Sequence, residues 1–170
     1  CPGGDQVGED WEEQFNFFTD FRNTSFDPRG AGKTICNKNP PWTINDYAND
    51  LAQLITKICN PPVIVIGLSM GALIVQEMLL EFPELCKFGI AMGTSGEKSG
   101  FIQEWEEAEI NFRKKGLTMP KDFSIVHYAL LMYPPEVLGD DKLWKKCKPI
   151  VSKAYKGRNS EMLSAQWQAC

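Results

Sequence analysis

The chain has 170 residues, of which 43% are hydrophobic and 24% are charged, and its net charge at pH 7 is −4. This composition suggests one folded domain with a hydrophobic core, and it excludes an intrinsically disordered, collagen-like or charge-rich coiled-coil chain. A general nucleic-acid binder would be basic, and no apolar run approaches the ~20 residues of a membrane-spanning helix. Neither a nucleic acid nor a membrane is therefore expected as a partner.

Six cysteines are spread over the chain, and no two of them form the C-x-x-C pair typical of a zinc site. The simplest interpretation is free thiols in a reducing compartment, so a cytoplasmic location is expected. The alternative is a disulfide set in a secreted protein. The cysteines are Cys1, Cys36, Cys59, Cys86, Cys147 and Cys170.

The first part of the chain alternates helical and strand patterns. Aromatic residues at helical spacing predict a helix over 8–20, and a short strand is expected at 23–27. Thr43, followed three residues later by Asp46, has the pattern of a helix start. The helix predicted from there ends at Pro61-Pro62, because proline cannot continue it. Its apolar face consists of Tyr47, Leu51, Leu54, Ile55 and Ile58.

The strongest strand pattern of the chain is Val63-Ile64-Val65-Ile66. Its unbroken β-branched character favours a central parallel strand that is buried on both faces. The following helix is predicted from Ser69 to about Phe82, and another short buried strand is predicted at 88–92. This alternation of strands and helices is typical of the α/β class.

From about residue 100 the pattern becomes entirely helical. A helical block after a strand–helix series predicts a cap, so the chain is divided into a partial α/β core at 1–99 and a helical cap at 100–170. The aromatic residues of the cap either pack its helices together or line an apolar pocket. They include Trp105, Phe112, Phe123, Tyr128 and Trp144.

Gly67-Leu68-Ser69-Met70-Gly71 lies between the strongest strand and the helix after it. A nucleophilic serine needs its oxygen raised on such a strained turn, where side chains two residues away would clash with neighbouring backbone. The helix N-terminus favours developing negative charge, and the Met70 amide points to where an oxyanion would form. The pattern predicts a nucleophile at Ser69. The alternative is a serine that only caps the helix between two packing glycines.

A second motif, Asp27 to Thr34, ends in Gly-Lys-Thr and suggests a phosphate-binding loop. That loop needs glycine where this chain has Asp27, and it needs a long helix after the threonine. The residues from Asn37 to Pro41 prevent such a helix, so nucleotide binding is not expected.

Together, Gly67-Leu68-Ser69-Met70-Gly71 and the upstream Asp27-x-Arg29-Gly30-x-Gly32 resemble the α/β-hydrolase superfamily. The order and spacing of Thr43-Ile44-Asn45-Asp46-Tyr47 before the strand are similar to its haloperoxidase-like and enol-lactonase-like branch. The resemblance covers roughly residues 2–95. It implies an α/β-hydrolase core of parallel strands with flanking helices, followed by a helical cap.

The resemblance also implies roles for individual residues. Ser69 would be the nucleophile and the Met70 amide one oxyanion donor. The second donor would come from the loop Pro2-Gly3-Gly4, through the amide of Gly4 or alternatively of Gly3. Pro2 stands where the family usually has histidine. The turn from Asp27 to Gly32 would be structural.

The family's acid and histidine follow the serine in the order Ser, Asp, His. The one histidine of this chain, His127, is expected to be a packed structural residue, with a substrate contact or the catalytic base as alternatives, and Glu97 is a candidate for an unusual acid. In the family a third strand lies between those corresponding to 23–27 and 63–66, so these two would lie about 10 Å apart. The chain is therefore expected to be a fragment that lacks sequence before Cys1 and after Cys170.

The parent protein is expected to be a serine hydrolase that acts on a small apolar ester, lactone or thioester through an acyl-enzyme. No cofactor or metal is implied. Acyl transfer or lyase chemistry at the same turn is an alternative, as is a non-catalytic small-molecule receptor or pseudo-enzyme on the same fold.

Overall fold

The computed structural model describes residues 1–4, 6–94, 100–154 and 160–170. Within these residues two strands are accompanied by α-helices and by two 3-10 helices, Gly8–Phe17 and Pro83–Leu85. The elements in chain order are α1 Ile44–Ile58, β1 Val63–Leu68, α2 Met70–Glu81, β2 Cys86–Met92, α3 Gly100–Lys114, α4 Lys121–Met132, α5 Pro135–Leu138, α6 Asp141–Ala154 and α7 Ser160–Ala169.

Helix α1 begins where the sequence predicts it, at a reciprocal cap. The Thr43 Oγ1 accepts the Asp46 N–H at 3.2 Å, and the Asp46 carboxylate accepts the Thr43 N–H at 3.0 Å. Both contacts satisfy N–H groups that the first turn of a helix leaves without partners. The apolar face of α1 buries Tyr47, Leu51 and Ile55, so the helix is held by its cap and by burial of this face.

Strands β1 and β2 pair in parallel, with Val65 opposite Gly89 and Gly67 opposite Ala91. Helix α2 connects them and packs on one face of the pair. A Cβ at Gly89 would lie 2.5 Å from the Cγ1 of Val75, so the absent side chain allows this close approach of helix and strand. The described strands therefore form a β–α–β unit, which agrees with the predicted α/β class.

The second strand is present, but the prediction that it is buried is wrong. Phe88, Ile90 and Met92 are 47%, 40% and 40% exposed. In β1, Val65 is buried while Ile64 and Ile66 are only half-buried. The cause is that alternate residues of a strand point to opposite faces, and among the described residues only one face of this two-stranded sheet is covered by a helix.

The strand predicted at 23–27 does not form, and the helix predicted at 8–20 is a 3-10 helix over Gly8–Phe17. A strand needs a neighbour that pairs with its N–H and C=O groups, and no described segment pairs with 23–27. The Asn23 side chain instead donates to the carbonyl oxygens of Phe18 and Phe21 at 2.9 and 3.2 Å. Instead of pairing with each other or with a common described neighbour, residues 22–26 and residues 62–66 both line a cavity of about 560 Å³.

The contacts divide the chain into two compact units. The first comprises Cys1–Asn111 and Asn159–Cys170, and the second comprises Phe112–Arg158. Most of α3 and all of α7 therefore group with the first unit, whereas the sequence predicts that a cap begins at residue 100. The division into a core at 1–99 and a cap at 100–170 stays a prediction. In the first unit, Trp105 of α3 contacts Trp167 of α7 edge-to-face, with ring centroids 4.9 Å apart.

Each unit has its own hydrophobic core. The core of the first unit lies between α1, β1 and α2, with Ala165 of α7 added to it. The core of the second unit forms around Ile125, Ala129 and Val151, and the half-buried side chains of Tyr128, Tyr133, Leu138 and Trp144 pack against it. Three aromatic side chains of this unit thus pack its helices together. No described helix combines the length and the apolar character that crossing a membrane requires.

The cap of α1 gives a first testable prediction. Thr43→Ala removes the acceptor of the Asp46 N–H, and we expect the free energy of unfolding to fall by about 1 kcal/mol in urea denaturation. Thr56→Ala is the matched control, since Thr56 is exposed on the same helix and its hydroxyl donates to the Ala52 carbonyl within the helix. That variant should stay within about 0.5 kcal/mol of the wild type. Equal losses in both variants would contradict the capping role.

A second prediction concerns pH. Hydrogen bonds from the Lys38 side chain and from Thr43 lower the pKa of Asp46 to about 2. Because an aspartate in an unfolded chain titrates near pH 3.9, the resulting stabilisation is complete above that pH and is lost as the pH falls towards 2. The stability difference between wild type and Asp46→Asn should therefore be constant near neutrality and shrink between about pH 4 and pH 2. Exposed Asp20→Asn serves as the control, and a difference that does not depend on pH would refute the assignment.

Candidate active site

Ser69 lies on the sharp turn between β1 and α2. Its backbone has φ 54° and ψ −120°, and among the described residues it is the one non-glycine with positive φ. Such a conformation costs on the order of 1–3 kcal/mol and persists only where the surroundings impose it. Three backbone hydrogen bonds impose it here. The Ser69 N–H donates to the Met92 carbonyl at 2.9 Å, and the Ser69 carbonyl accepts from Ala72 and Leu73 at 2.8 and 3.3 Å.

The Ser69 side chain is exposed and makes no capping hydrogen bond to α2. A serine that served only as a helix cap would accept an N–H of the first turn through its side-chain oxygen. The geometry therefore argues against the capping alternative. It leaves the hydroxyl at the surface of the turn with no role in holding α2.

Gly67 and Gly71 are required by close backbone contacts on both sides of Ser69. A Cβ at Gly67 would lie 2.0 Å from the Gly71 carbonyl oxygen, and a Cβ at Gly71 would lie 2.2 Å from the carbonyl oxygen of Cys1. Both distances are far inside van der Waals contact. The prediction that side chains two residues from the serine would clash with backbone is confirmed.

Two backbone N–H groups near Ser69 make no hydrogen bond within the described chain. The first is the N–H of Met70, the first residue of α2, where the helix dipole favours negative charge. The second is the N–H of Gly4, in the loop that begins at Cys1. This loop lies against the turn, because a Cβ at Gly3 would be 3.1 Å from the Leu68 oxygen and 3.4 Å from the Ser69 Cβ.

The Gly3 N–H is not available as an oxyanion donor. It donates to the Oε1 of Gln6 at 2.7 Å, and the Gln6 N–H donates back to the Gly3 carbonyl at 3.2 Å. Of the two donors considered from the sequence, Gly4 is therefore the one whose N–H stays unused. Sequence analysis missed Gln6, and the only local signal was an amide side chain three residues after a glycine.

Of the candidate base and acid, only His127 lies among the described residues. His127 lies on α4 in the second unit, half-buried, with its ring stacked on Phe123 at 6.2 Å and edge-to-face with Tyr128 at 5.4 Å. These ring contacts agree with a packed residue. Glu97 lies outside the described residues, so its role stays a prediction.

The Asp27–Thr34 motif forms a closed turn. The two carboxylate oxygens of Asp27 accept the N–H groups of Gly8 and Lys33 at 2.9 and 2.8 Å. A Cβ at Gly32, which has φ 54°, would lie 2.1 Å from the Asp27 carboxylate. An acidic side chain therefore occupies the place that a phosphate would need, which supports a structural role.

Arg29 joins this turn to the core of the first unit. Its guanidinium binds both carboxylate oxygens of Asp50 at 2.6 and 2.7 Å, and it lies over the rings of Trp42 and Tyr47, 5.9 and 5.6 Å from their centroids. The Arg29 carbonyl accepts from the buried Gln166 of α7 at 3.2 Å. Burial raises the pKa of the Tyr47 hydroxyl, so this phenol remains neutral beside the cation.

Comparison with known proteins shows the family to which this fold belongs. A family described as "alpha/beta hydrolase fold" matches residues 1–133. BpoC of Mycobacterium tuberculosis strain H37Rv, which is named as a non-heme bromoperoxidase, is 31% identical over 121 residues, or 71% of this chain and 45% of that protein. The 3-oxoadipate enol-lactonase 2 of Acinetobacter baylyi is 29% identical over 109 residues, or 64% of this chain and 40% of that protein.

Solved structures show the same fold. The crystal structure of BpoC from M. tuberculosis H37Rv superimposes with a TM-score of 0.88 at 25% identity, covering 99% of this chain and 63% of that one. A hydrolase from Pseudomonas aeruginosa PA01 superimposes with a TM-score of 0.79 at 18% identity, covering 99% of this chain and 61% of that one. At this identity the similarity concerns the fold alone. The chain spans less than half the length of the curated relatives that it matches.

The close contacts around Ser69 give a third prediction. Gly71→Ala places a methyl group against the carbonyl oxygens of Cys1 and Pro2, so we expect a loss of about 3 kcal/mol in the free energy of unfolding. Gly4→Ala is the matched control, since nothing lies within 4 Å of a Cβ there and its φ is not positive. Denaturant titration measures the free energy of unfolding of both variants. Equal values would contradict the close contact between Gly71 and the carbonyl oxygens of Cys1 and Pro2.

Proposed function

Because the chain belongs to the alpha/beta hydrolase fold family, we propose that it is the nucleophile-bearing part of a serine hydrolase. The observation that carries this proposal is the strained backbone of Ser69, with φ 54° and an exposed hydroxyl that makes no cap to α2. A fold retains such strain at a turn where a reactive group must be presented.

The proposed reaction proceeds through an acyl-enzyme. The Ser69 Oγ attacks the carbonyl carbon of an ester while a base takes its proton, and the carbonyl oxygen becomes an oxyanion. The N–H groups of Met70 and Gly4 donate to that oxyanion. The base then protonates the leaving alcohol as the C–O bond breaks, and water, activated by the same base, releases the acid and restores Ser69.

The proposed substrates are small apolar esters, lactones or thioesters. Support for the lactone class comes from the enol-lactonase of A. baylyi, which matches at 29% identity. The base is proposed to be a histidine. His127 is the only histidine among these 170 residues, and it packs in the second unit.

A fluorophosphonate probe tests the proposal directly. With the protein at its natural length, intact-mass analysis should show one adduct, and peptide mapping should place it on Ser69. Ser69→Ala should abolish the adduct and lower ester turnover by about 10³-fold or more. Ser152→Ala is the control, because the Ser152 hydroxyl donates to the Lys148 carbonyl of its own helix at 2.7 Å, as expected of a structural serine.

The outcomes distinguish the proposed hydrolase from a non-catalytic receptor on the same fold. A single Ser69 adduct together with turnover of an ester supports the hydrolase. A wild-type protein that gives no adduct at its natural length would exclude a reactive Ser69 and favour a non-catalytic receptor on the same fold. An adduct that persists in Ser69→Ala would assign the reactivity to another residue and refute the proposal.

A further inference from the structure

Two hydrogen bonds join Gly3 and Gln6 in a ring that the proposed mechanism does not use. The Gly3 N–H donates to the Gln6 side-chain oxygen at 2.7 Å, and the Gln6 N–H donates to the Gly3 carbonyl at 3.2 Å. We propose that Gln6 is a positioning residue that orients the Gly4 N–H as the second oxyanion donor. This inference rests on the proposed function.

The argument begins with the peptide plane. The Gly3 carbonyl and the Gly4 N–H belong to one peptide unit, and in a trans peptide these two groups point in opposite directions. Since the Gln6 N–H holds the Gly3 carbonyl on the inner side of the turn, the Gly4 N–H points away from the ring. Among the described residues of the loop it therefore finds no acceptor, which agrees with the unused Gly4 N–H.

The preceding peptide is held in the same way. The Gly3 N–H points towards the Gln6 side chain, so the Pro2 carbonyl points in the opposite direction. There it lies against α2, since a Cβ at Gly71 would be 2.6 Å from the Pro2 oxygen. The two peptide planes on either side of Gly3 are thus set by Gln6 from one side and by Gly71 from the other.

This constraint matters because Gly3 and Gly4 have no side chains that could restrain their own backbone. Two consecutive glycines have wide backbone freedom, and nothing lies within 4 Å of a Cβ at Gly4. Any residue at position 6 keeps the main-chain N–H that holds the Gly3 carbonyl, so the Gln6 side chain adds the second contact, to the Gly3 N–H. Without that contact Gly3 would be held on one side only, and the Gly3–Gly4 peptide could tilt. A donor that must reorient during the reaction stabilises an oxyanion less than a donor that is already oriented.

The chemistry of the side chain is also suited to this position. The Gln6 amide accepts the Gly3 N–H without adding charge. A glutamate of the same length would accept the same hydrogen bond, but its carboxylate would lie close to the developing oxyanion and repel it. Gln6→Glu therefore preserves the ring and changes the charge, whereas Gln6→Met preserves the volume and removes the acceptor.

The experiment measures the rate of fluorophosphonate labelling of Ser69 in the protein at its natural length. We expect the maximal inactivation rate to fall about 10- to 100-fold in both variants, while the concentration for half-maximal inactivation and the thermal midpoint stay close to wild type. Gln53→Glu, an exposed change on α1, is the control for added charge and should label at the wild-type rate.

A wild-type inactivation rate in Gln6→Met overturns the inference, and the proposed function then stands. A fall in rate that is matched by a weaker half-maximal concentration and a lower thermal midpoint also overturns it, since that pattern indicates a structural role only. If Gln6→Met does not fold, Gln6→Ala, which also removes the amide acceptor, decides, and a wild-type inactivation rate in Gln6→Ala overturns the inference. A wild-type protein whose Ser69 does not label refutes the proposed function itself.

Discussion

The contact between the backbones of β1 and α2 at Gly67 and Gly71 is the constraint on which the rest of the first unit depends. The two glycines approach so closely that a Cβ on Gly67 would lie 2.0 Å from the Gly71 oxygen. The chain must therefore reverse direction within one residue, and that residue, Ser69, takes a positive φ. The strained conformation of the serine is maintained by this packing of glycine backbone together with the three backbone hydrogen bonds of Ser69.

The sheet and the N-terminal loop both stabilise this turn. Strand β2 contributes the Met92 carbonyl that accepts the Ser69 N–H, and Cys1 contributes the carbonyl that accepts the Leu68 N–H at 3.3 Å. Each contact joins segments that are far apart in sequence. Because the exposed Ser69 is held from several directions, its position is more precise than a loop alone would allow. The same contacts bring Gly3 close to Ser69, since a Cβ at Gly3 would lie 3.4 Å from the Ser69 Cβ.

A second set of contacts connects the turn after Asp27 with the helices around it. Arg29 binds Asp50 of α1, packs between Trp42 and Tyr47, and accepts from Gln166 of α7 through its carbonyl. A guanidinium suits this role because its planar donors bind a carboxylate in two places while its faces stack on aromatic rings. The motif that resembles a phosphate loop thus serves to join helices of the first unit.

The sequence alone determined the features that depend on neighbouring residues. The cap at Thr43 and Asp46, the strand β1 and the glycine pattern around Ser69 each follow from local steric and hydrogen-bonding rules, and so does the fold class. Only the tertiary structure decided features that depend on distant partners. The segment 23–27 is not a strand because no described segment pairs with it. Strand β2 is exposed because the described helices cover only one face of its sheet. The contact between Gln6 and Gly3 depends on how the N-terminal segment folds back on itself. Local patterns report what a residue can do, whereas pairing and burial depend on which parts of the chain meet in space.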